Sequence, residues 1–412
     1  MLFRPKSSRL SKDGSKFRSG IELFRESMHS TRAGLVHATM CSLLAAGVLV
    51  LYFAGSLIYG SKDAAVVLPA RHGHYVHSIQ SPTPLIFPRV EDTHVLRDMG
   101  LRTLYILRID EHRRSRISME VGDRPTPEKN LPKDDKRALA KRSFLDHGKR
   151  VYHRTSNHPE VVLVTLIDFE NYDKNTITRI VQNRVDYAAK RGYGIYVRWA
   201  QEFIPLVDKQ TLEDSYEFMK PMAMRAAMHA FPHAKYFWFL DHTGLIMNMD
   251  FSLQDNLLAS RSLNNVLLRD VPVVAGTTIK TYSNFAPANA KILVPQSPLG
   301  ELDTNSFIVS STLYGKAFLD YLSDPLIRNY NWDSLAASIG HMLQWHPKFL
   351  SKTGLVKSKV IAARYIPNRS PDSPNAAEVA YEDGDAVVLF TGCDERQSCP
   401  ADIEKFSTKK SS

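Results

Sequence analysis

The most constraining feature of this sequence is a short apolar run that ends in an acidic residue. Residues Tyr236 to Leu240 read Tyr-Phe-Trp-Phe-Leu, carry no charge and are followed at once by Asp241. Runs this short and this apolar are typical of strands that are buried on both faces of a parallel sheet. Open α/β sheets bind their ligands beyond the carboxyl ends of such strands. The run therefore predicts a buried strand with a functional carboxylate at its end, although Asp241 can also simply cap the turn that follows.

The segments around this run alternate between strand and helix patterns. Apolar, β-branched residues over Val161 to Ile167 predict a first strand, which is closed by Asp168. Asn175 to Arg191 carries apolar residues at helical spacing, and Gly192 suits the stop of that helix. The further candidates are strands at Gly194–Trp199, Val271–Ala275, Ser306–Val309 and Ala386–Phe390, and helices at Pro221–Phe231 and Asp333–Trp345. This order predicts an α/β domain over residues 158–412, with helices on the faces of a parallel sheet.

The first 157 residues differ in composition from this domain. Residues 1–35 are basic and lack periodicity, which predicts a disordered tail. Residues 36–59 contain no Asp, Glu, Lys or Arg, and about 20 apolar residues cross a bilayer as a helix. Because the positive charge precedes this segment, the amino terminus is expected in the cytosol and the domain in the lumen. A cleaved secretory signal is the alternative. Residues 60–157, rich in proline and charge, are expected to form a stem, with a strand candidate at Leu101–Ile109.

Charge and composition argue against one class of partner. The 412 residues carry a formal net charge of +10, and the sequence pI is about 9.3. A basic chain that binds nucleic acid concentrates its charge on a recognisable module, whereas this sequence has neither finger spacing nor an internal repeat. We therefore expect no nucleic-acid partner and attribute the basic excess to the tail, the stem and anionic ligands.

Several stretches taken together resemble glycosyltransferase family 34, the fungal galactosyltransferase and mannan-polymerase subunit group. They follow the family's order over roughly residues 160 to 405, and they are Asn183 to Tyr193, Arg225 to Asp241, Leu245 to Asn248, Leu302 to Phe307 and Glu382 to Cys393. The resemblance implies a GT-A fold, a single-pass type II protein of the Golgi membrane, a nucleotide-sugar donor and a retaining transfer. It is strongest to the branch that elongates α-1,6-mannan on glycoproteins from GDP-mannose.

The same resemblance implies a divalent metal, Mn²⁺ or Mg²⁺, on the donor diphosphate, where it stabilises the negative charge of the leaving group. The family supplies two carboxylates at the strand end and a later His. In this sequence Asp241 fills the first position and His242 follows it, but Thr243 replaces the second Asp and Leu389 replaces the His. Asp241 is thus the expected catalytic and metal-binding residue, and His242 a candidate donor contact or only a polar loop side chain.

Other site residues are candidates through the resemblance alone. Asp168, Asn183 and Arg184 are expected on the donor side, where Arg can meet a phosphate with two hydrogen bonds. Asp303 and Ser306 are expected on the acceptor side. Each has a plainer alternative: Asp168 can close a turn, Asn183 and Arg184 can belong to a solvated helix face, and Asp303 can be a loop acid.

Cysteines, one sequon and the tryptophans complete the candidates. Cys393 and Cys399 are the only cysteines outside residues 36–59, and a lumenal compartment would permit a disulfide between them. The alternative, a metal site, would need ligands beyond these two cysteines. Asn368 begins a glycosylation sequon. The four tryptophans are expected in the core rather than as sugar platforms: Trp199, Trp238, Trp332 and Trp345.

Two functions of different classes remain open from the sequence. The first is a metal-dependent α-1,6-mannosyltransferase that extends glycoprotein mannan, with a UDP-galactose-dependent α-galactosyltransferase as a variant of it. The second is a non-catalytic partner that assembles with other mannan-polymerase subunits in the Golgi, which Thr243 and Leu389 favour.

Overall fold

The computed structural model describes residues 85–86, 105–109, 115–119, 158–168, 172–207, 212–367 and 374–409. The predicted tail, the predicted anchor at 36–59 and Asn368 lie outside these residues. All described residues belong to one compact unit within residues 68–412. Within the described part of the chain, the helices are too short or too polar to traverse a bilayer.

The strands, numbered in chain order, build three sheets. They are β1 (Leu85–Ile86), β2 (Tyr105–Ile109), β3 (Ser115–Met119), β4 (Val161–Ile167), β5 (Gly194–Trp199), β6 (Tyr236–Leu240), β7 (Gly244–Ile246), β8 (Ile292–Gln296), β9 (Ser306–Ser310), β10 (Thr353–Lys357), β11 (Ala363–Arg364) and β12 (Val387–Leu389). The central seven-stranded sheet has the order β1-β5-β4-β6-β9-β8-β10. A three-stranded sheet joins β11, β12 and β7, and β2 pairs with β3.

The helices cover both faces of the central sheet. They are α1 (Lys174–Arg191), α2 (Leu212–Ala230), α3 (Ser260–Val266), α4 (Leu313–Ser323), α5 (Pro325–Arg328), α6 (Leu335–Trp345), α7 (Pro347–Leu350), α8 (Pro374–Val379) and α9 (Cys399–Lys409). Successive residues of β4 point to opposite faces, so that Val162 and Val164 pack with α2 while Val161 and Leu163 pack with α1. The result is a mixed α/β domain with one core on each side of the sheet.

Strand directions explain how the sheet builds a site at one edge. β1, β5, β4 and β6 are parallel, so their carboxyl ends meet at the same edge. β9 is antiparallel to β6, which brings the residues before β9 to the edge where β6 ends. Asp241 and Asn305 meet there, because the Asp241 N–H donates to the Asn305 carbonyl at 2.8 Å.

Most of the predicted elements of the domain are present, and three expectations need correction. Val271–Ala275 is not a strand; it holds a single bridge at Pro272, whose missing N–H cannot join a ladder. The helix expected to begin near Pro221 begins at Leu212, and Pro221 lies inside it. The sheet expected to be parallel is mixed, since β9 runs antiparallel to β6 and β8. The strand candidate at Leu101–Ile109 is confirmed over Tyr105–Ile109, which pairs with β3, while β1 joins the central sheet beside β5.

The structure also adds several elements that were not predicted, among them β7, β8, β10, α3, α4 and α9, and it places one tryptophan differently. β8 was not anticipated, because Pro295 interrupts an otherwise apolar run that here lies between β9 and β10. Trp199 and Trp238 are core residues as expected, but Trp345 is 70% exposed and its assignment to the core is wrong. Trp345 ends α6, whose apolar stripe turns inward through Leu335, Ile339 and Met342.

Candidate functional site

The carboxylate at the end of β6 is enclosed by hydrogen bonds from the protein itself. Tyr216 on α2 donates its hydroxyl to Asp241 Oδ1 at 2.7 Å, and Thr243 donates to Oδ2 at 2.7 Å. The Asp241 side chain is only 5% exposed. Both oxygens of this carboxylate therefore have a protein donor in the described structure.

His242 is a buried member of the same network rather than a polar loop side chain. Its Nδ1 lies 2.6 Å from Tyr216 Oη, 3.1 Å from the Leu166 carbonyl and 3.4 Å from Asp241 Oδ1. Tyr216 has one hydroxyl proton, which it donates to Asp241, so the close contact implies that His242 Nδ1–H donates to Tyr216 Oη. The Tyr172 and Tyr216 rings contact the imidazole edge to face, with centroids 5.0 and 5.3 Å away.

A buried cation lies beside this network. Lys220 on α2 is fully buried, contacts Glu217 Oε1 and donates to Asn305 Oδ1 at 2.7 Å. Its ammonium lies 5.5 Å from the ring centroid of Tyr216, and Thr304 donates to Glu217 Oε2 at 2.9 Å. Tyr216, Glu217 and Lys220 were not among the site residues predicted from the sequence. The available signal was Lys220 itself, a charged residue inside the apolar stretch 218–224.

The charges of this cluster stabilise one another. Burial alone would raise the pKa of Asp241, but His242, Lys220 and the hydrogen bond from Tyr216 hold that pKa well below its usual range. Burial alone would lower the pKa of His242 and of Lys220, but Asp241 raises the first, and Glu217 with Asp241 raises the second. Asp241 is therefore an ionised acceptor throughout the neutral pH range.

Asn183 and Arg184 hold the strand end from the side of α1. The Asn183 side chain donates to the Ile246 carbonyl at 2.8 Å and accepts from the Ile246 N–H at 2.9 Å. Arg184 Nη2 donates to the Asp241 carbonyl at 2.8 Å, and burial lowers the Arg184 pKa to about 9. Neither residue belongs to a solvated face, since they are 7% and 0% exposed. Their contact with a nucleotide stays a prediction; what they do here is orient the backbone on which Asp241 sits.

The other candidates also lie at or near this edge. Asp168 follows β4 and is buried. Asp303 accepts from the Asn305 N–H at 2.9 Å and lies 3.3 Å from Arg364 Nε, and burial raises its pKa despite that guanidinium. Ser306 is fully buried and accepts from Trp238 Nε1 at 2.9 Å, so its hydroxyl supports the sheet. A role of Asp303 or Ser306 towards an acceptor stays a prediction.

The disulfide loop reaches the same site. Cys393 and Cys399 are bonded to each other, and Asp394 between them accepts from the Tyr172 hydroxyl at 3.3 Å. Because Tyr172 packs on His242, this contact joins the disulfide loop to the end of β6. Asp394 was not among the residues singled out from the sequence.

The donor set does not fit a divalent metal. Asp241 is one carboxylate with both oxygens engaged, Thr243 is neutral, and Leu389 is a fully buried residue of β12. Leu389 packs so closely over Gly244 that a Cβ at that glycine would lie 2.6 Å from Leu389 Cδ2. Elsewhere in the described residues, the one group of three metal-ligating side chains is that of Cys393, Asp394 and Cys399, whose sulfurs the disulfide occupies.

A cavity of about 250 Å³ lies at a different end of the sheet. Its lining includes Tyr236 at the start of β6, Leu263 on α3 and Lys291 before β8. The start of β6 is the end opposite to Asp241, so this cavity is separate from the polar cluster.

Comparisons with known proteins agree on one family. Residues 157–400 match the model of the galactosyl transferase GMA12/MNN10 family. The chain is 45% identical over 374 residues to the probable alpha-1,6-mannosyltransferase MNN11 of Saccharomyces cerevisiae, covering 88% of this chain and 89% of that one. It is 29% identical over 262 residues to an uncharacterized alpha-1,2-galactosyltransferase of Schizosaccharomyces pombe, covering 60% of this chain and 66% of that one.

Among solved structures, a glycosyltransferase involved in the glycosylation of the major capsid of PBCV-1 aligns with a TM-score of 0.41 at 13% identity. The alignment covers 60% of this chain and 100% of that chain. A likeness of this size is too weak to assign a fold or an activity.

Proposed function

Because the chain belongs to the galactosyl transferase GMA12/MNN10 family, we propose that it is an α-1,6-mannosyltransferase of the GT-A type. It transfers mannose from GDP-mannose to mannan on glycoproteins, with retention at the anomeric carbon. The observation that carries this proposal is the 45% identity, over 88% of the chain, to a relative described as a probable alpha-1,6-mannosyltransferase.

The geometry supports a donor site at the polar cluster around Asp241. Ligands of open α/β sheets bind beyond the carboxyl ends of the strands, and Asp168, Asp241 and Asn305 gather at that edge. The transfer breaks the bond from mannose C1 to the diphosphate oxygen, which leaves with the electron pair as GDP, and forms a bond from C1 to an acceptor hydroxyl oxygen, whose proton passes to the departing diphosphate. Preorganised groups beside the departing diphosphate lower the barrier, and Lys220 helps to order this edge by donating to Asn305 Oδ1.

The cellular setting belongs to the same proposal. Residues 36–59 anchor the protein in the Golgi membrane, the stem follows, and residues 158–412 work in the lumen. The protein assembles there with other mannan-polymerase subunits. The uncharged segment and the basic residues before it support the membrane anchor and its orientation.

A second candidate is a subunit that does not catalyse by itself. Thr243 and Leu389 favour it, because they stand where the resemblance implies metal ligands. A third, galactosyl transfer, is supported only by relatives that are less similar to the chain.

A transfer assay with two donors tests the proposal. The purified full-length chain receives GDP-mannose or UDP-galactose with an α-1,6-linked mannose oligosaccharide, and mass spectrometry measures the products. We expect mannose transfer to be faster than galactose transfer by at least about tenfold, since a donor site that pairs with one base and one sugar discriminates strongly. Faster galactose transfer would instead support the third candidate, and a folded chain without turnover would support the second.

Substitutions at two acidic residues, one in the polar cluster and one on the surface, test whether Asp241 belongs to the active site. Asp241→Asn keeps the shape of the side chain but replaces one acceptor oxygen by an NH2 group, so a hydrogen bond from Tyr216 or Thr243 is lost and the strand end loses its geometry. We expect it to slow mannose transfer by about 100-fold or more. Asp250 lies shortly after β7 and is 81% exposed, so Asp250→Asn should leave transfer within about twofold of the wild type. Equal transfer rates for Asp241→Asn and Asp250→Asn would show that Asp241 does not belong to the active site.

A further inference from the structure

We propose that the strand-end site binds its nucleotide without a divalent cation, with Lys220 holding the residues around Asp241 in place. This inference rests on the proposed function. It starts from the observation that the residues at the end of β6 do not form a metal site. Thr243 and Leu389, a hydroxyl and an apolar side chain, occupy the positions where two further metal ligands would be needed.

The first argument is the state of the carboxylate. Tyr216 donates to Oδ1 and Thr243 donates to Oδ2, each at 2.7 Å, so a metal could use only the remaining lone pairs of this one carboxylate. The Thr243 hydroxyl turns its proton towards the carboxylate, so it acts as a donor to Asp241. An Asp at position 243 would instead offer a second charged oxygen ligand of the kind that Mn²⁺ and Mg²⁺ prefer. Thr243 therefore donates a hydrogen bond to Asp241, where an Asp would offer a ligand to a metal.

The second argument is the apolar third position. Leu389 is fully buried, and β12 pairs it directly with Gly244 of β7. No rotation of an aliphatic side chain can supply a ligand. A His at position 389 could offer an imidazole to the end of β6, whereas Leu389 only packs against Gly244.

The third argument is that a protein cation already stands beneath the strand end. The Lys220 ammonium is fully buried, and its described contacts to Glu217 and Asn305 use two of its three N–H donors. Glu217 offsets much of this charge, so Lys220 acts on its neighbours rather than directly on the nucleotide. Its ammonium lies 5.5 Å from the Tyr216 ring centroid, and Tyr216 donates to Asp241. Lys220 is therefore a positioning residue, because it acts through Asn305 and Tyr216 from beneath the site.

Calorimetric titration of the full-length chain with GDP tests the inference. The titration is run once with Mn²⁺ and once with EDTA, and we expect the two dissociation constants to agree within about twofold. Mn²⁺ alone, followed by its electron paramagnetic resonance signal, should not bind at about 100 μM. Tightening of GDP binding by Mn²⁺ of about tenfold or more would overturn the inference, as would Mn²⁺ binding that Asp241→Asn abolishes.

A pair of double variants sharpens the test. Thr243→Asp with Leu389→His restores the two missing ligands, and we expect GDP binding to become at least about tenfold tighter with Mn²⁺ than with EDTA. The matched control, Thr243→Asn with Leu389→Gln, carries similar volumes without a carboxylate or an imidazole and should show no such dependence. A Mn²⁺ dependence in the control equal to that of the first variant would contradict the assignment. If the double variants do not fold, the titration of the wild-type protein with GDP remains the test of the inference.

The outcomes separate this inference from the proposed function. Mannose transfer in EDTA supports both, and transfer that requires Mn²⁺ overturns the inference alone. GDP binding in EDTA without mannose transfer supports the inference and overturns independent catalysis. Failure to bind GDP in either buffer overturns both.

Discussion

Replacement of Lys220 by methionine is expected to lower the free energy of unfolding by about 2–4 kcal/mol, because the ammonium is buried while its partner Glu217 is partly exposed. Methionine keeps most of the side-chain volume, so the loss reports charge and hydrogen bonding rather than a cavity. Glu217 loses its cation, Asn305 loses a donor 2.7 Å away, and Asp241 loses a nearby positive charge. Chemical denaturation at neutral pH measures the effect.

A surface lysine and a change of pH serve as controls. Lys348 on α7 is exposed, and Lys348→Met should change stability by at most about 0.5 kcal/mol. The pKa of Asp241 is lowered in the folded state, so the stability it contributes is present above its unfolded pKa of about 3.9 and is lost as pH falls through the folded value. The part of the Lys220→Met penalty that acts through Asp241 should therefore stay constant near neutral pH and shrink only as the pH falls through the pKa of Asp241 in the folded variant. A penalty under about 1 kcal/mol at neutral pH would contradict a buried, paired ammonium.

Removal of one hydroxyl is the second large effect. Tyr216→Phe is expected to destabilise the protein by about 1.5–3 kcal/mol, the range for a hydrogen bond to a charged group. The hydroxyl donates to Asp241 Oδ1 at 2.7 Å and lies 2.6 Å from His242 Nδ1, so both buried partners lose a contact. Urea unfolding measures the loss, and Tyr314→Phe, at a 38% exposed tyrosine on α4, should be neutral within about 0.5 kcal/mol.

A double-mutant cycle shows whether the two hydroxyls serve one carboxylate. Tyr216→Phe and Thr243→Val remove the donors to the two oxygens of Asp241. Residues that share one partner couple, and we expect an interaction energy of at least about 0.5 kcal/mol between the two changes. Strict additivity would mean that water, rather than these hydroxyls, satisfies the carboxylate.

The strands nearest the site were predictable because their sequence pattern is local. Val161–Ile167 and Tyr236–Leu240 are uninterrupted apolar runs, and both form strands that are buried on the two faces of the sheet. The place of Asp241 followed from the rule on carboxyl ends of parallel strands. β8 was missed because Pro295 argues against a strand. The proline is tolerated because the ladder with β9 pairs only Ile292 and Leu293, and the Pro295 carbonyl accepts from the Asp303 N–H at 2.9 Å.

The partners of Asp241 could not be predicted, because they come from distant parts of the chain. Tyr216 and Lys220 lie on a helix that precedes β6, and only the packing of α2 on the sheet brings them to the strand end. Asn183 and Arg184 were predicted as donor-side residues from the family resemblance. Their sequence gives no sign that both side chains turn inwards to the backbone of residues 241 and 246. Side-chain direction on a helix depends on which face is covered, which needs the tertiary structure.

Hydrogen exchange with and without GDP tests most directly whether the polar cluster at the end of β6 is the nucleotide site. Full-length protein is labelled in both states, and exchange is followed peptide by peptide. We expect GDP to slow exchange in residues 216–220, 241–246 and 303–306, the segments that meet at this edge. Protection confined to the cavity beside Tyr236 and Lys291, or to the exposed aromatic surface at Trp345, would contradict the assignment.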